Sequence, residues 1–477
     1  MAHAGRGRQI VRWFAAIILP AACLLGTASS EASADTIQWA LVQAYQNNPS
    51  LNAQRAALRA TDENVPQALS GYRPKLSITA NGGYNYTSVV TPNGGASIQT
   101  PPATNQTNQA YVSRGIGAVA TQTLFDGFQT ANRVRQAESQ VMGARETLRV
   151  TEQQVLLDAA TAYMNLLRDE AVLDLNRSNV AVLTDELRQT RERFRLGEVT
   201  RTDIAQAESR LAAGRAALLG AQSNDAISQA NYRRVIGDAP GKLARGAPVD
   251  HLSPGTLSAA IAEGENHSPS VLAEMHGVDI AELAVKINEG SLYPSLSLTA
   301  AISQDVNPEY NVNRQFSASA AGQLTIPIYQ GGGEFAVIRQ SKETLGQQRL
   351  SLDVDRDQAR ATVVQSWSQL TAAKAQIEAA KAQVAAAAIA FDGVRQEAHI
   401  GERTTLDVLN AQQELVNARV ALVTTQHDRV VASYTLLAAV GGLSMKRLGS
   451  AVALYNPQVH YQQVRDSWIG LRVPDGR

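Results

Sequence analysis

The chain is written twice. Residues 71–80 (GYRPKLSITA) return as residues 291–300 (SLYPSLSLTA), an offset of 220 that also pairs Asn48-Pro49-Ser50-Leu51 with Ser268-Pro269-Ser270-Val271. Farther along, an offset of 204 pairs Phe125-Asp126-Gly127 with Tyr329-Gln330-Gly331, Arg135-Gln136 with Arg339-Gln340, and Leu196-Gly197-Glu198 with Ile400-Gly401-Glu402. It also pairs Thr200-x-x-Asp203 with Thr404-x-x-Asp407. Several matches at one gapless offset mark an internal repeat, which confines the fold to two copies of one unit. The offset changes between the two strand-like segments of each repeat, where the first repeat carries the longer loop.

Both repeats follow the same inner order. A helical segment comes first (Thr36–Ser70 and Thr256–Gly290), followed by two strand-like segments. In Leu76–Thr87, Leu76, Ile78, Ala80, Gly82, Tyr84 and Tyr86 alternate with Ser77, Thr79, Asn81, Gly83, Asn85 and Thr87, the period of two that a one-sided strand requires. Phe316–Ile328 alternates likewise, Leu296–Ser303 is a shorter version, and in Tyr111–Phe125 Arg114 and Gln122 share the face of Ile116 and Ala118. Ser88–Ala110, with its Pro, Gly, Thr, Asn and Gln, reads as a polar surface loop. After Gly127 and Gly331 come stretches of about 70 residues almost free of proline, each long enough for a helix of roughly 100 Å. Small residues dominate their stripes, as in AAKAQVAAAAIAF at 379–391. A turn and a returning helix follow (Thr200–Ile236 and Thr404–Val440), ending before Gly237 and Gly441-Gly442 as plausible C-caps. The expected divisions are a first repeat at 35–237, a linker at 238–255, a second repeat at 256–442 and a tail at 443–477.

Residues 1–34 have the parts of a signal peptide: basic Arg6, Arg8 and Arg12, an apolar stretch Trp13–Gly26 too short to span a bilayer, and Ala32-Ser33-Ala34 as a cleavage site. Cleavage there starts the mature chain at Asp35 and removes Cys23, the one cysteine. The alternative is acylation of Cys23 after Pro20-Ala21-Ala22, with proline poorly placed for it. Cleavage takes three arginines and Glu31 from a balance of 43 basic and 43 acidic residues, leaving a net charge of about −2. That near-neutral balance gives no footprint for nucleic acid, and a single cysteine excludes a disulfide scaffold.

No segment after the signal is apolar enough for a transmembrane helix, so an exported chain of this kind enters a membrane only as a barrel. Four strands cannot close one, because bacterial barrels begin at about eight strands and open edges are not tolerated in lipid. The chain must pool strands with copies of itself, and three copies give twelve. A periplasmic helical scaffold or adaptor without a channel is the alternative; an adaptor would show lipoyl-like β-segments flanking one hairpin rather than two hairpins with paired strands.

The duplication, Ile326-Pro-Ile-Tyr-Gln-Gly-Gly332, Arg193-Phe-x-x-Gly197 and Gly401-x-Arg-Thr-x-x-Asp-Val-Leu409 together resemble the TolC family of outer-membrane channel-tunnels, over nearly the whole mature chain. The resemblance implies a mainly α fold with a membrane β-barrel: a homotrimer with a twelve-stranded barrel in the outer membrane and long helical hairpins forming an α-barrel across the periplasm. It also implies an exit duct for type I secretion or tripartite efflux, without cofactor or metal. Its partners would be a periplasmic adaptor (membrane fusion protein), an inner-membrane ABC or proton-driven pump, and outer-membrane lipid.

Carried over residue by residue, the resemblance places the narrow entrance at Asp407 and Asn410, three apart on one helical face. The family has two acidic residues there, so Asn410 halves the carboxylates at the constriction and weakens cation preference. Arg403 matches the gate arginine, Thr202 and Asp203 match its partners, and the family's additional tyrosine link falls on Ala398, one hydrogen bond fewer. Thr200-x-x-Asp203 and Thr404-x-x-Asp407 read equally as capping boxes, compatible with gating. Leu196-Gly197 and Ile400-Gly401 match the tips that meet the adaptor, and also read simply as turns whose glycine takes positive φ.

Enzymatic readings have little to stand on. The seven histidines are scattered without His-Glu-x-x-His, Gly331-Gly332-Gly333 lacks the Gly-Lys-Ser/Thr of a phosphate loop, and no Gly-x-Ser-x-Gly elbow occurs. Carboxylates such as Asp158 and Glu208 sit in helical patterns as solvated or paired groups. The tail, with Tyr455, Tyr461 and Trp468, carries no motif; the resemblance implies packing around the waist of the tunnel.

Overall fold

A computed structural model describes residues 35–92, 104–449 and 452–474. The expected signal peptide and the middle of the Ser88–Ala110 segment lie outside the described residues. The first repeat runs α1 (Ile37–Asn47), α2 (Pro49–Asp62), α3 (Asn64–Leu69), β1 (Lys75–Pro92), β2 (Thr104–Phe125), α4 (Gln129–Arg195) and α5 (Arg201–Ile236). The second runs α6 (Leu257–His267), α7 (Pro269–Gly290), β3 (Ser295–Val306), β4 (Arg314–Thr325), α8 (Gly333–His399) and α9 (Thr405–Ala439), and α10 (Pro457–Val464) lies in the tail.

The opening segment of each repeat is broken where one helix was expected. Pro49 and Pro269 disfavour helical backbone in the residue before them. Asn48 accordingly turns extended, and its side chain accepts from the amides of Ser50 and Leu51 to start α2.

The four strands form one antiparallel sheet in the order β1-β2-β3-β4, leaving β1 and β4 as open edges. The first hairpin reaches farther than the alternation predicts: within the segment whose composition predicts a loop, Ser88 pairs with Asn108 and donates its hydroxyl to Asn108 Oδ1 at 2.7 Å. The register stacks the apolar positions on one face, with Ile78, Ala118, Ile302 and Ala318 in one row and Ala80, Ile116, Gln304 and Phe316 in the next. Leu76, Ile78, Tyr84, Ile116, Ile302 and Phe316 on that face are all exposed. The other face carries Thr79, Gly117, Ser303 and Ser317 in register. Arg114 and Arg314 share a row with Gly82 and Val306, where the four-stranded part of the sheet ends; beyond it only the first hairpin continues, with Tyr84 and Val112 on the same face. From the Leu296–Leu324 row to that row is about 33 Å along a strand, which at a tilt of about 40° stands roughly 25 Å tall. That is the height of the apolar belt of a bacterial barrel.

All four connections between helices and strands leave the same end of the sheet, at Lys75, Phe125, Ser295 and Thr325. α4 and α8 have 67 residues each and so extend roughly 100 Å away from it. Among the described residues no helix is long and apolar enough to cross a membrane. α4 packs against α5 and α9, and α9 against α8, so α5 and α8 flank the layer. These flanking helices leave Leu219, Ile227, Leu350, Val354 and Ile389 uncovered.

The main core lies at mid-length, where α1, α4, α9 and the end of α5 bury Leu41, Leu156, Tyr163, Tyr232, Ile236 and Leu436. The Tyr163 hydroxyl stands 2.6 Å from the carbonyl oxygens of both Asp35 and Ala244, tying the start of the described chain and the linker to α4. The tail is held here as well. His460 on α10 meets the buried Asp62 of α2, Nδ1 to Oδ2 at 2.9 Å, and the amide of Tyr455 donates to the Tyr45 hydroxyl at 3.0 Å.

Candidate functional site: the hairpin tips

The residues singled out in the sequence gather at the ends of the two long hairpins, farthest from the sheet. Each outgoing helix is stopped by a glycine in the left-handed region, Gly197 at φ 81° and Gly401 at φ 85°. Nothing lies within 4 Å of a Cβ built on either, so the backbone conformation alone requires glycine. The amides of Glu198 and Glu402 donate back to the carbonyls of Arg193 and Glu397 at 2.9 and 3.0 Å, the Schellman closure of a helix C-terminus. Just before each glycine, Leu196 and Ile400 stand 74% and 71% exposed, two apolar knobs on otherwise polar turns.

The returning helices begin with matching capping boxes. Thr200 accepts from the Asp203 amide while Asp203 accepts from the Thr200 amide at 2.8 Å; Thr404 and Asp407 do the same, with the Thr404 amide 3.0 Å from Asp407 Oδ2. The Thr404 hydroxyl also donates to Asp407 Oδ2 at 2.8 Å, and these two bonds hold the Asp407 carboxyl below the usual aspartate range. Each turn is braced by one ion pair of opposite polarity: Arg193 with Glu198 at 3.2 Å in the first repeat, and Glu397 with Arg403 at 2.9 Å in the second. Glu397 keeps the Arg403 guanidinium above its ordinary value. Within the chain Arg403 is thus engaged by Glu397, while Thr202 is exposed and Asp203 is occupied by its cap. The structure does not join Arg403 to Thr202 or Asp203 in one chain. Ala398, at the place of the family's tyrosine, is buried.

Asn410 has a partner that the sequence reading missed. Arg210 on α5 donates from Nη2 to Asn410 Oδ1 at 2.6 Å, joining the two hairpins directly. Two residues farther along α9, the Gln412 side-chain amide donates to Asn179 Oδ1 at 3.2 Å in a buried link between α9 and α4. Beside it Leu409 packs with Leu183, Leu187, Ala207 and Leu211. Glu186 on the same stretch of α4 is pushed up by burial, against the pull of Arg395 and Arg193. Arg210 lies two turns after Asp203 on the same helical face, the one local sign that it could reach the tip. Nothing local indicates a partner 200 residues away.

A sheet with an apolar belt of membrane height, rooted on helical hairpins that run about 100 Å to a polar, hydrogen-bonded tip, defines a membrane-rooted helical conduit. Comparison with known proteins gives that class a family. The family described as outer membrane efflux protein matches residues 40–238 and 260–442. Outer membrane efflux protein BepC of Brucella suis is 42% identical over 97% of this chain and 97% of its own length, and outer membrane protein TolC of Escherichia coli is 25% identical over 88% and 85%. The crystal structure of the Campylobacter jejuni CmeC outer membrane channel shares the fold, with a TM-score of 0.74, 15% identity and coverage of 90% of this chain and 89% of that one. The chain belongs to the outer membrane efflux protein family, the TolC-type channels. It is an outer-membrane exit duct.

Proposed function

We propose that three copies of the chain assemble into a closed duct, with the hairpin tips as its gate. One observation carries this reading: the sheet has an apolar face and two open edges, and the helical layer continuing it leaves apolar residues uncovered on both flanking helices, α5 and α8. Open edges are not stable in lipid, so β1 of one copy pairs with β4 of the next. The same neighbour covers α5 with α8. Twelve strands then close the barrel, and the polar face of the sheet lines the passage.

At the far end, Asp407 and Asn410 line the narrowest point. Arg403, Thr202 and Asp203 act at the contacts between hairpins that keep it closed, together with the Arg210–Asn410 bond. Opening untwists the second hairpin relative to the first. The duct spends no energy itself and catalyses nothing; an inner-membrane ABC or proton-driven pump does the work. A periplasmic adaptor docks on the knobs Leu196 and Ile400, which Gly197 and Gly401 present. The 42% identity to an efflux protein favours small-molecule efflux over protein secretion as the task.

Conductance in planar bilayers tests the proposal. The wild type should form small channels as a detergent-extracted trimer, Arg403→Ser should raise conductance several-fold, and Asp407→Ala should reduce cation preference. A monomer that forms no channel would overturn the reading.

A further inference from the structure

The end of the tail has no role in the duct described so far. After α10 the chain is stopped by the Ser467 amide donating to the Val464 carbonyl at 3.0 Å, and it then presents Trp468, Ile469 and Leu471 at 68%, 93% and 105% exposure. Three large apolar side chains within four residues, all in water, are costly. They are also held in place rather than trailing free. Arg73 donates from Nη1 to the Ser467 carbonyl at 2.6 Å and stacks its guanidinium over the Trp468 ring at 4.7 Å.

Arg73 fixes the level as well as the position. It lies two residues before β1 begins at Lys75, so Trp468 sits at the root of the sheet, where the apolar belt ends and the helices start. Exposed aromatics mark that level at all four junctions: Tyr72 before β1, Phe128 after β2, Tyr293 before β3 and Tyr329 after β4. Tyrosine and tryptophan collect at the boundary between bilayer and water, with an apolar body in the acyl region and a polar tip among the headgroups. Arg472 follows the apolar residues, exposed, and can reach lipid phosphates as long basic side chains do at such boundaries, while Arg465 before them is paired with Glu138 at 3.5 Å.

We propose that residues 467–473 are an interfacial anchor that buries Trp468, Ile469 and Leu471 in the periplasmic leaflet of the outer membrane. The occupant of this apolar surface is phospholipid, continuous with the lipid around the sheet. The inference rests on the outer-membrane placement of the sheet and not on the gate. The anchor would fix the height of the barrel and resist tilting of the long tunnel when partners pull on its tips.

The test uses the full chain in proteoliposomes, comparing the wild type with Trp468→Phe so that the difference in emission isolates Trp468. Trp39 and Trp367 are packed against the central core and remain in both proteins. Phospholipid brominated near the headgroup end of the acyl chain should quench the Trp468 emission, as expected of a tryptophan at the interface, while aqueous iodide should have little effect. Channel conductance of the same preparations reports insertion of the barrel separately, so failure of the anchor and failure of the duct are distinguishable. Quenching by iodide without quenching by the brominated lipid would place the tail in water and overturn the proposal. Quenching by neither would show Trp468 covered by a neighbouring copy and would overturn it equally.

Discussion

Removing the Arg210 side chain should loosen the proposed gate without touching the fold. Arg210 Nη2 and Asn410 Oδ1, 2.6 Å apart, form the direct polar link between α5 and α9 at the tip. A hydrogen bond from a charged donor contributes about 1.5–3 kcal/mol when protected, and partial exposure reduces this to about 1 kcal/mol. Three copies opening together multiply the loss to roughly 3 kcal/mol, a shift in the ratio of open to closed on the order of 100-fold. In planar bilayers Arg210→Ala should therefore raise the time-averaged conductance strongly. Arg210→Lys, which keeps the charge but loses the forked donor, should fall between the two. Asn410→Asp should act in the opposite sense, because a carboxylate accepts from the guanidinium more strongly than an amide does. The double variant Arg210→Ala/Asn410→Ala should be no more open than either single one, since both remove the same bond. Additive effects, or a change in ion selectivity with no change in the open fraction, would refute the link as a mechanical tie and leave Arg210 only a source of field.

Three further perturbations separate local from long-range causes. Gly127→Ala should prevent stable assembly, because φ is 67° and the new Cβ would lie 2.3 Å from the Gly290 carbonyl oxygen; Gly331→Ala, with φ 76° in open space, should cost only about 1–2 kcal/mol, both read by heat-modifiability on gels. Thr404→Ala removes the hydroxyl bond, the larger of the two that depress Asp407, and leaves the amide bond, so the Asp407 pKa measured by carbon NMR should rise part of the way toward 3.8. The stabilisation from that depressed carboxyl is present above its unfolded pKa and is lost as pH falls through the folded one, so the variant's stability deficit should be largest near neutral pH and shrink as the pH is lowered. Tyr163 is pushed up to about 12 by burial. A raised phenol pKa gives stability that is complete below about 10 and lost as pH rises from there through the folded value, so absorbance at alkaline pH should show Tyr163 ionising only as the core opens.

What could be read beforehand was whatever depends on a few adjacent residues. Gly197 and Gly401 announce their turns because only glycine takes their backbone angles without strain, and the capping boxes at Thr200 and Thr404 close over three residues. The alternating strands and the two long helices follow from periodicity alone. The extension of the first hairpin through Ser88 and Asn108 was hidden because its stabilising pairs are polar and cross-strand, so its composition matches that of a loop. Arg210 with Asn410 and Asp62 with His460 are separated by 200 and 398 residues, and only the folded backbone brings them together. Glu397 is hidden for a different reason: an exposed glutamate six residues before Arg403 has the composition of any solvated helix end, and only the tight turn at Gly401 brings the two side chains together.

The two repeats share a backbone plan but not a mechanical role. α4 is packed along much of its length by α1, α2, α3, α5, α7 and α9, whereas α8 is covered by α7 and α6 near the sheet and by α9 beyond. At the tip this difference becomes sharper. Of the five buried members of the local cluster, four (Leu183, Leu187, Ala207 and Leu211) belong to the first hairpin and Leu409 alone to the second. At the tip the second hairpin meets the first through Leu409, through the hydrogen bonds of Arg210 with Asn410 and Gln412 with Asn179, and through the pull of Arg395 on Glu186. The first hairpin, by contrast, is closed on itself. In the proposed gate an opening motion follows the smallest set of contacts that must break, so the second hairpin should swing while the first stays as the fixed wall. The ion pairs bracing the turns fit the same division, because Glu397–Arg403 lies within the moving hairpin and survives the swing. Duplication supplied two hairpins of one length, and unequal burial suits the second to be the moving part of the proposed gate.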